Sequence, residues 1–128
     1  MKILIVEDNF VSRNLLVSML SKYGVCHVAV NGQEAVNAFK ESAEDQYDLI
    51  CLDISMPIKR GLEALKEIRA FELKMKINTF DHTKIVMVSA LDDKENITRA
   101  YSLNCDGFLA KPIKMDELQK MLSTLNLN

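Results

Sequence analysis

The sequence predicts an α/β protein with a five-stranded parallel sheet that is doubly wound, with helices on both faces. Five short apolar runs alternate along the chain with five stretches whose apolar residues recur at helical spacing. Four of the runs are almost continuously apolar, as is typical of parallel strands buried on both faces. Strands that alternate with helices favour parallel pairing through right-handed crossovers. The whole chain, residues 1–128, is the right length for one domain with a sizeable core.

Each predicted strand is an apolar run bounded by polar or turn-forming residues. The runs are Ile3–Val6, Val25–Val30, Leu49–Leu52, Ile85–Val88 and Gly107–Ala110. The second run is the most mixed because it contains His27, and this composition suits a strand at the edge of the sheet.

The predicted helices fill the intervals between these strands. They cover residues 10–21, 32–41, 61–73, 94–103 and 115–125. Asn31 with Glu34, and Asp92 with Glu95, have the spacing of a capping box and mark two helix starts. Lys114 stands where a Ser, Asp or Asn cap would mark the start of the fifth helix more strongly. The irregular stretch 74–83 is compatible with a helix extension followed by a loop.

Composition excludes several classes of function. A net charge of −2 gives no bulk attraction to nucleic acid or to an anionic membrane. No apolar run is long enough to cross a bilayer, and the first residues form a strand rather than a signal peptide. Cys26, Cys51 and Cys105 lack metal-ligand spacing, so we interpret them as reduced thiols of a cytoplasmic protein.

The polar residues that follow the strands carry the functional signal. Glu7 and Asp8 follow the first strand, Asp53 the third, Ser89 the fourth, and Lys111 the fifth. Open α/β sheets bind ligands at the carboxyl ends of their strands, where the strand order reverses. In the flavodoxin-like order 2-1-3-4-5, the first and third strands are neighbours. We therefore expect three carboxylates to meet in one crevice, beside a hydroxyl and an ammonium group.

Three clustered carboxylates repel one another, and Mg²⁺ would relieve the repulsion because it prefers oxygen ligands and accepts phosphate oxygens as well. One carboxylate can then act as a nucleophile toward phosphorus and form an aspartyl phosphate. For any single acidic residue, a helix cap or a turn is the commoner explanation, and Asp8 is a candidate cap of the first helix. Convergence of five such residues on one edge makes the functional interpretation the stronger one.

The sequence resembles, from end to end, the receiver domain of two-component response regulators. The matching segments are "ILIVEDN", "DLICLDISMP" with Gly61 after it, "IVMVSA" and "DGFLAKPI". The resemblance implies that Asp53 accepts the phosphoryl group from a histidine kinase or a histidine phosphotransfer domain. It implies Mg²⁺ as the cofactor, held by Glu7, Asp8, Asp53 and the Ser55 carbonyl. It also implies that Lys111 binds phosphate, after a cis Lys111–Pro112 bond, and that Ser89 and Phe108 form the switch.

Further expectations follow from this resemblance. A responding protein would bind the surface of helix 4, strand 5 and helix 5, whereas a phosphodonor would dock near helix 1 and the strand 5–helix 5 loop. The domain would assist its own phosphorylation and dephosphorylation rather than act as an enzyme. Ser55 and Leu91 stand at positions that tune phosphate lifetime, and Asn104 replaces the usual Gly after helix 4. The "IRAFE" segment resembles receivers of hybrid histidine kinases and phosphorelays. The chain ends directly after helix 5, so we expect no output domain within it.

Three other functions remain as alternatives. A haloacid dehalogenase-like phosphatase would carry a second Asp two residues after the nucleophile, where this chain has Ser55. A flavodoxin-like cofactor binder would need a phosphate loop, and the acidic "EDNF" segment would repel phosphate. A pseudo-receiver would bind partners without phosphorylation, and the complete acidic set argues against it.

Overall fold

The computed structural model describes residues 1–56, 58–75, 82–90 and 92–127. The strands are β1 (Lys2–Val6), β2 (Val25–Ala29), β3 (Leu49–Asp53), β4 (Lys84–Ala90) and β5 (Gly107–Lys111). The helices are α1 (Phe10–Leu20), α2 (Gly32–Glu41), α3 (Gly61–Lys74), α4 (Lys94–Ser102) and α5 (Met115–Thr124). The sheet is parallel in the order β2-β1-β3-β4-β5, so the predicted fold class and strand order are confirmed.

Two hydrophobic clusters cover the two faces of the sheet. Strand residues such as Leu4, Ile50 and Met87 pack with α2, α3 and α4 on one face. On the other face their neighbours, such as Ile5 and Val86, pack with α1 and α5. The central strands are therefore buried on both sides, which explains why their sequences are nearly continuous apolar runs. Strand β2 lies at the edge and is mostly exposed, as its mixed composition predicted.

Local signals at the helix starts are only partly confirmed. Asn31 caps α2, where its Oδ1 accepts a hydrogen bond from the Glu34 amide at 2.8 Å. Asn9 caps α1 by accepting from the Ser12 amide at 3.0 Å, so Asp8 is not the cap. The capping box predicted at Asp92 is wrong, because the N-cap position of α4 is one residue later and its side chain caps no backbone amide.

Two backbone features expected from the sequence are present. The Lys111–Pro112 bond is cis, and Asn104 adopts the left-handed conformation expected after helix 4, with φ of 69°. The three cysteines form no disulfide. Helix α3 continues to Lys74, and residues 76–81 and Leu91, with their expected loop and active-site roles, lie outside the described residues. Within the described ranges, no helix has both the length and the apolar character needed to cross a membrane.

A charged network closes the amino end of the sheet. Arg69 donates to Glu72 at 2.5 Å and to Asp106 at 2.6 Å. The remaining carboxylate oxygens are also occupied: Glu72 Oε2 accepts from the Thr83 amide at 3.0 Å, and Asp106 Oδ1 lies 3.1 Å from His82 Nε2. Every carboxylate oxygen in this network therefore has a partner, and the network joins α3 to β4 and to the loop before β5.

Candidate metal-binding and phosphoacceptor site

The pairing of the strands brings the predicted site residues to one edge of the sheet. Glu7 directly follows β1, and its amide bonds to the Ala29 carbonyl at 3.1 Å, which continues the line of the strand. Asp53 ends β3 opposite Val88 of β4, and Lys111 ends β5 opposite Ala90 of β4. The carboxyl ends of the strands therefore form a crevice, as the sequence predicted.

Three carboxylates cluster in this crevice. Glu7, Asp8 and Asp53 each offer an oxygen, and these oxygens all lie within 4.8 Å of one another. Glu7 is 1% exposed and Asp53 is 4% exposed, whereas Asp8 is open to solvent. Oxygens on opposite sides of a bound Mg²⁺ are about 4 Å apart, so carboxylates this close together are suitably placed to share one ion.

Lys111 is the cation nearest to the two buried carboxylates in the described part of the chain. Its Nζ lies 2.9 Å from Glu7 Oε1 and 3.3 Å from Asp53 Oδ2. The backbone amide of Ser55 donates to Asp53 Oδ1 at 3.2 Å. Lys111 and the Ser55 amide thus contact different oxygens of Asp53, and together they fix the orientation of its carboxylate.

The charges in the crevice are not balanced. Burial, then the hydrogen bond and the charge of Glu7, raise the pKa of Asp53 to about 7, although Lys111 and the Ser55 amide oppose the rise. Burial would also raise the pKa of Glu7, but its bonds with Asp53 and Lys111 outweigh this and lower it. Burial opposes the charge of Lys111, but the two carboxylates raise its pKa overall. The single positive charge of Lys111 therefore does not neutralise the carboxylates around it.

A buried oxygen without a partner indicates what the crevice lacks. Among the described residues, Glu7 Oε2 is the buried side-chain oxygen or nitrogen that has no hydrogen-bond partner. A proton on Asp53 would give this atom a donor, and a cation between the carboxylates would satisfy it as well. The donor set consists only of oxygens, and one member is exposed, which fits a hard divalent ion that keeps some of its waters.

Ser89 lies at the same edge, but its hydroxyl is engaged elsewhere. It is buried in β4, and its Oγ donates to Asp93 Oδ2 at 3.0 Å. Asp93 also accepts from the Asn96 side-chain amide through both carboxylate oxygens, each at 3.0 Å. Sequence reasoning missed Asp93, and the only signal for it was a second acidic residue before α4.

Phe108 lies on β5, away from the carboxylates and opposite Met87 of β4. It is half-buried and lines a cavity of about 460 Å³ on the face formed by α4, β5 and α5, together with Tyr101 and Met121. The structure therefore separates the two predicted switch residues: Ser89 lies at the edge that carries the carboxylates, and Phe108 lines the cavity on the other side of β5.

Apolar side chains are exposed beside the site on α1. Phe10 and Val11 are 66% and 75% exposed, and Leu15 is also exposed. Leu15 lines a cavity of about 360 Å³ that also contains Glu7, Lys111 and Pro112. The exposed apolar side chains of α1 therefore reach, through Leu15, the cavity beside Glu7 and Lys111.

Comparison with known sequences decides the family. The family model of the response regulator receiver domain matches residues 3–123. The chain belongs to the response regulator receiver domain family. Receiver domains serve two-component and phosphorelay systems as signalling switches rather than as classical enzymes.

The relatives of this receiver domain include much longer proteins. Hybrid signal transduction histidine kinase G of Dictyostelium discoideum is 37% identical over 126 residues, which is 96% of the receiver domain but 3% of that kinase. The receiver domain likewise covers 7% of hybrid kinase L of the same organism and 10% of the osmosensing kinase SLN1 of Saccharomyces cerevisiae.

Two solved structures place the fold among receivers of known context. One is the co-crystal structure of the S. cerevisiae histidine phosphotransfer protein Ypd1 with the receiver domain of its downstream response regulator Ssk1. Its matching chain is 32% identical with a TM-score of 0.83, covering 100% of this receiver domain and 92% of that chain. The other is the receiver of sensor kinase PA1611 of Pseudomonas aeruginosa, with magnesium in its active-site cleft. It is 31% identical with a TM-score of 0.76, covering 97% of this chain and 95% of that one.

Proposed function

We propose that this receiver domain accepts a phosphoryl group on Asp53 and changes its surface in response. The convergence of Glu7, Asp8 and Asp53 around one buried crevice, with Lys111 beside them, is the observation that carries the proposal. A buried cluster with more carboxylates than cations is unfavourable unless it serves to bind positive charge. The receiver that holds magnesium in its active-site cleft supports the same reading of the crevice.

Each residue of the site has a task in this reaction. An Asp53 oxygen forms the new bond to phosphorus as the bond from phosphorus to the donor histidine nitrogen breaks, and a proton on the other ring nitrogen of the donor lets the imidazole leave as a neutral group. The Ser55 amide and Lys111 orient Asp53, and Lys111 then offers its charge to the transferred phosphoryl oxygens. Mg²⁺, when bound, supplies the positive charge that three carboxylates and a phosphoryl group require. Glu7, Asp8, Asp53 and the Ser55 carbonyl would hold it.

The phosphodonor is a histidine kinase or a histidine phosphotransfer domain. Hybrid kinases among the relatives and the receiver bound to Ypd1 support this choice. The donor must bring its histidine to Asp53, and the apolar patch of Phe10, Val11 and Leu15 lies next to that opening. An exposed apolar patch beside a charged site is typical of a protein interface. We infer that the donor docks on this face of α1 and on the loop after β5.

We infer that the response is read on the surface formed by α4, β5 and α5. Phosphate on Asp53 would attract the Ser89 hydroxyl, because a dianion is a strong acceptor. Phe108 would then turn inward on the neighbouring strand and change the groove of α4, β5 and α5, where a responding protein binds. The two packings need differ by only a few kcal/mol for one charge-assisted contact to change their populations. The domain also assists hydrolysis of its phosphate, with a lifetime that Ser55 helps to set.

Intact-mass spectrometry after incubation with acetyl phosphate and Mg²⁺ tests the proposal. We expect one added phosphoryl group on the wild-type protein and none after Asp53→Asn substitution or with EDTA. Asp92→Asn, at an exposed carboxylate, is the matched control and should be labelled normally. Full labelling of Asp53→Asn would show that another residue is the acceptor. Chemical shifts with beryllofluoride should change around Asp53 and also at Phe108 and Leu118; changes confined to the crevice would refute the coupled switch.

A further inference from the structure

The Ser89 hydroxyl is already bonded in this structure, and its partner is an acid. Ser89 stands one residue beyond Val88, which pairs with Asp53. Its hydroxyl donates to Asp93 Oδ2 at 3.0 Å, and both Ser89 and this contact are shielded from solvent at least in part. A serine hydroxyl has one proton and can donate to one acceptor at a time. While Asp93 holds this proton, the hydroxyl does not donate toward Asp53.

Asp93 is placed where it can influence helix α4 directly. It occupies the N-cap position of α4, and the Ile97 amide donates to its carbonyl at 3.1 Å. Its side chain, however, caps no amide of the first turn, because both oxygens accept from Asn96 and one also accepts from Ser89. An Asp at this position normally caps the helix with its side chain. The carboxylate is therefore held away from its usual role by Ser89 and Asn96.

We propose that Asp93 is a positioning residue that restrains the Ser89 hydroxyl before phosphorylation and couples its release to the start of α4. The inference rests on the proposed function of Asp53. A phosphoryl group on Asp53 competes with Asp93 for the same proton, and its dianion is the stronger acceptor. Breaking the hydrogen bond between Ser89 and Asp93 therefore uses part of the free energy that is gained when the hydroxyl contacts the phosphoryl group.

Release of Ser89 leaves Asp93 Oδ2 with the Asn96 side-chain amide as its one remaining partner, so this oxygen has room for a further donor. That oxygen can then accept from the unpaired amides of the first turn of α4, as an N-cap side chain does. The start of α4 thus has two arrangements of hydrogen bonds, one with Ser89 and one with the helix. Phosphorylation of Asp53 shifts the equilibrium between these two arrangements through the carboxylate of Asp93. The hydrogen bonds at the start of α4 change as a result.

Affinity for beryllofluoride in the presence of Mg²⁺ tests this inference. Asp93→Ala removes the competing acceptor, so we expect binding about tenfold tighter than that of the wild type, the lower end for loss of a hydrogen bond to a charged group. Asp92→Ala removes the same charge from the neighbouring exposed position and should leave the affinity within about twofold. The affinity for Mg²⁺ alone should stay unchanged in both variants.

The gain in beryllofluoride affinity that Asp93→Ala produces should depend on the Ser89 hydroxyl. In a Ser89→Ala background, Asp93→Ala should no longer tighten beryllofluoride binding, whereas a general effect of charge would persist there. A role of Asp93 limited to bracing the loop would change the stability of the protein but not this coupling. Asp93→Asn keeps the shape and a weaker acceptor, so it should give a gain of about threefold even if the alanine variant folds poorly.

Two failures are distinguishable. If the wild type binds beryllofluoride but Asp93→Ala and Asp93→Asn bind no tighter, the inference about Asp93 is overturned and the proposed function stands. The same conclusion follows if the gain is equal with and without the Ser89 hydroxyl. If the wild type does not bind beryllofluoride with Mg²⁺ at all, the proposed function fails and this inference fails with it.

Discussion

Replacing Asp53 by Asn should stabilise the metal-free protein at neutral pH, although it abolishes the proposed function. The substitution keeps the shape of the side chain and removes one of two buried carboxylates that share a single lysine. In the wild type, the charge of Asp53 is opposed by burial and by Glu7. The folded state therefore disfavours the ionised form of Asp53, whereas the unfolded chain imposes no such penalty.

The size of the effect follows from the pKa of Asp53. Folding raises it from 3.8 to about 7, and one unit of pKa corresponds to about 1.4 kcal/mol. An ionised Asp53 thus costs the folded state up to about 4 kcal/mol. Relaxation of the crevice reduces this cost, so we expect Asp53→Asn to raise the free energy of unfolding by about 2 to 4 kcal/mol at pH 8.

The pH dependence has a defined sign. Between about pH 4 and pH 7, the folded carboxyl keeps a proton that the unfolded chain has lost. Because the folded state binds more protons, the stability of the wild type falls through this window relative to that of the variant. The advantage of Asp53→Asn should accordingly be small near pH 4, grow up to pH 7, and level off above it.

Urea unfolding in EDTA from pH 4 to pH 8 measures this difference, with Asp92→Asn as a control expected to stay within about 0.5 kcal/mol of the wild type. Saturating Mg²⁺ should narrow the gap, because it binds the folded wild type more tightly than the variant. An Asp53→Asn protein no more stable than the wild type at pH 8, or a difference that does not vary with pH, would refute the reasoning.

Three further predictions concern the cation and the backbone beneath it. Mg²⁺ affinity, measured by titration calorimetry, should fall as pH drops below about 7, because the proton on Asp53 competes with the ion; a constant affinity from pH 6 to pH 8 would contradict this. Asp8→Asn should weaken Mg²⁺ binding about tenfold or more, and more than Glu7→Gln, because the longer side chain of Glu7 suits contact with the ion through a water molecule; the reverse order would count against these roles. Gly61→Ala should destabilise the fold by about 2 kcal/mol or more and weaken Mg²⁺ binding, since its Cβ would lie 2.1 Å from the Asp53 carbonyl oxygen, whereas Gly107→Ala, whose nearest contact is 3.7 Å, should be tolerated.

Sequence reasoning identified the strands and most of the site for the same physical reason. Strands buried on both faces need apolar side chains throughout, so a polar residue such as Asp53 can appear only where the strand leaves the core. The end of the run therefore marks both the end of the strand and the ligand-binding edge. This is why Glu7, Asp53 and Lys111 could be assigned to this edge of the sheet without knowledge of any contact.

Contacts between side chains of one loop were not accessible in this way. Asp92 and Asp93 are equally good caps by residue type, and only the path of the backbone places Asp93 at the helix start, facing Ser89. Asp8 and Asn9 posed the same ambiguity, and the structure selects Asn9. Such choices depend on rotamers and on a shift of one residue, which neither periodicity nor propensity determines.

The two ends of the sheet use the same chemical groups for opposite purposes. At the amino end, the four oxygens of two carboxylates all have partners among Arg69, His82 and backbone amides. At the carboxyl end, three carboxylates have one lysine, and an oxygen of Glu7 is left over. The first arrangement is a satisfied network that joins structural elements, and the second carries an excess of negative charge. A substitution that added a hydrogen-bond donor to the crevice should therefore stabilise the fold. The same substitution should abolish the proposed switch function, because the carboxylates would then be satisfied without a cation or a phosphoryl group.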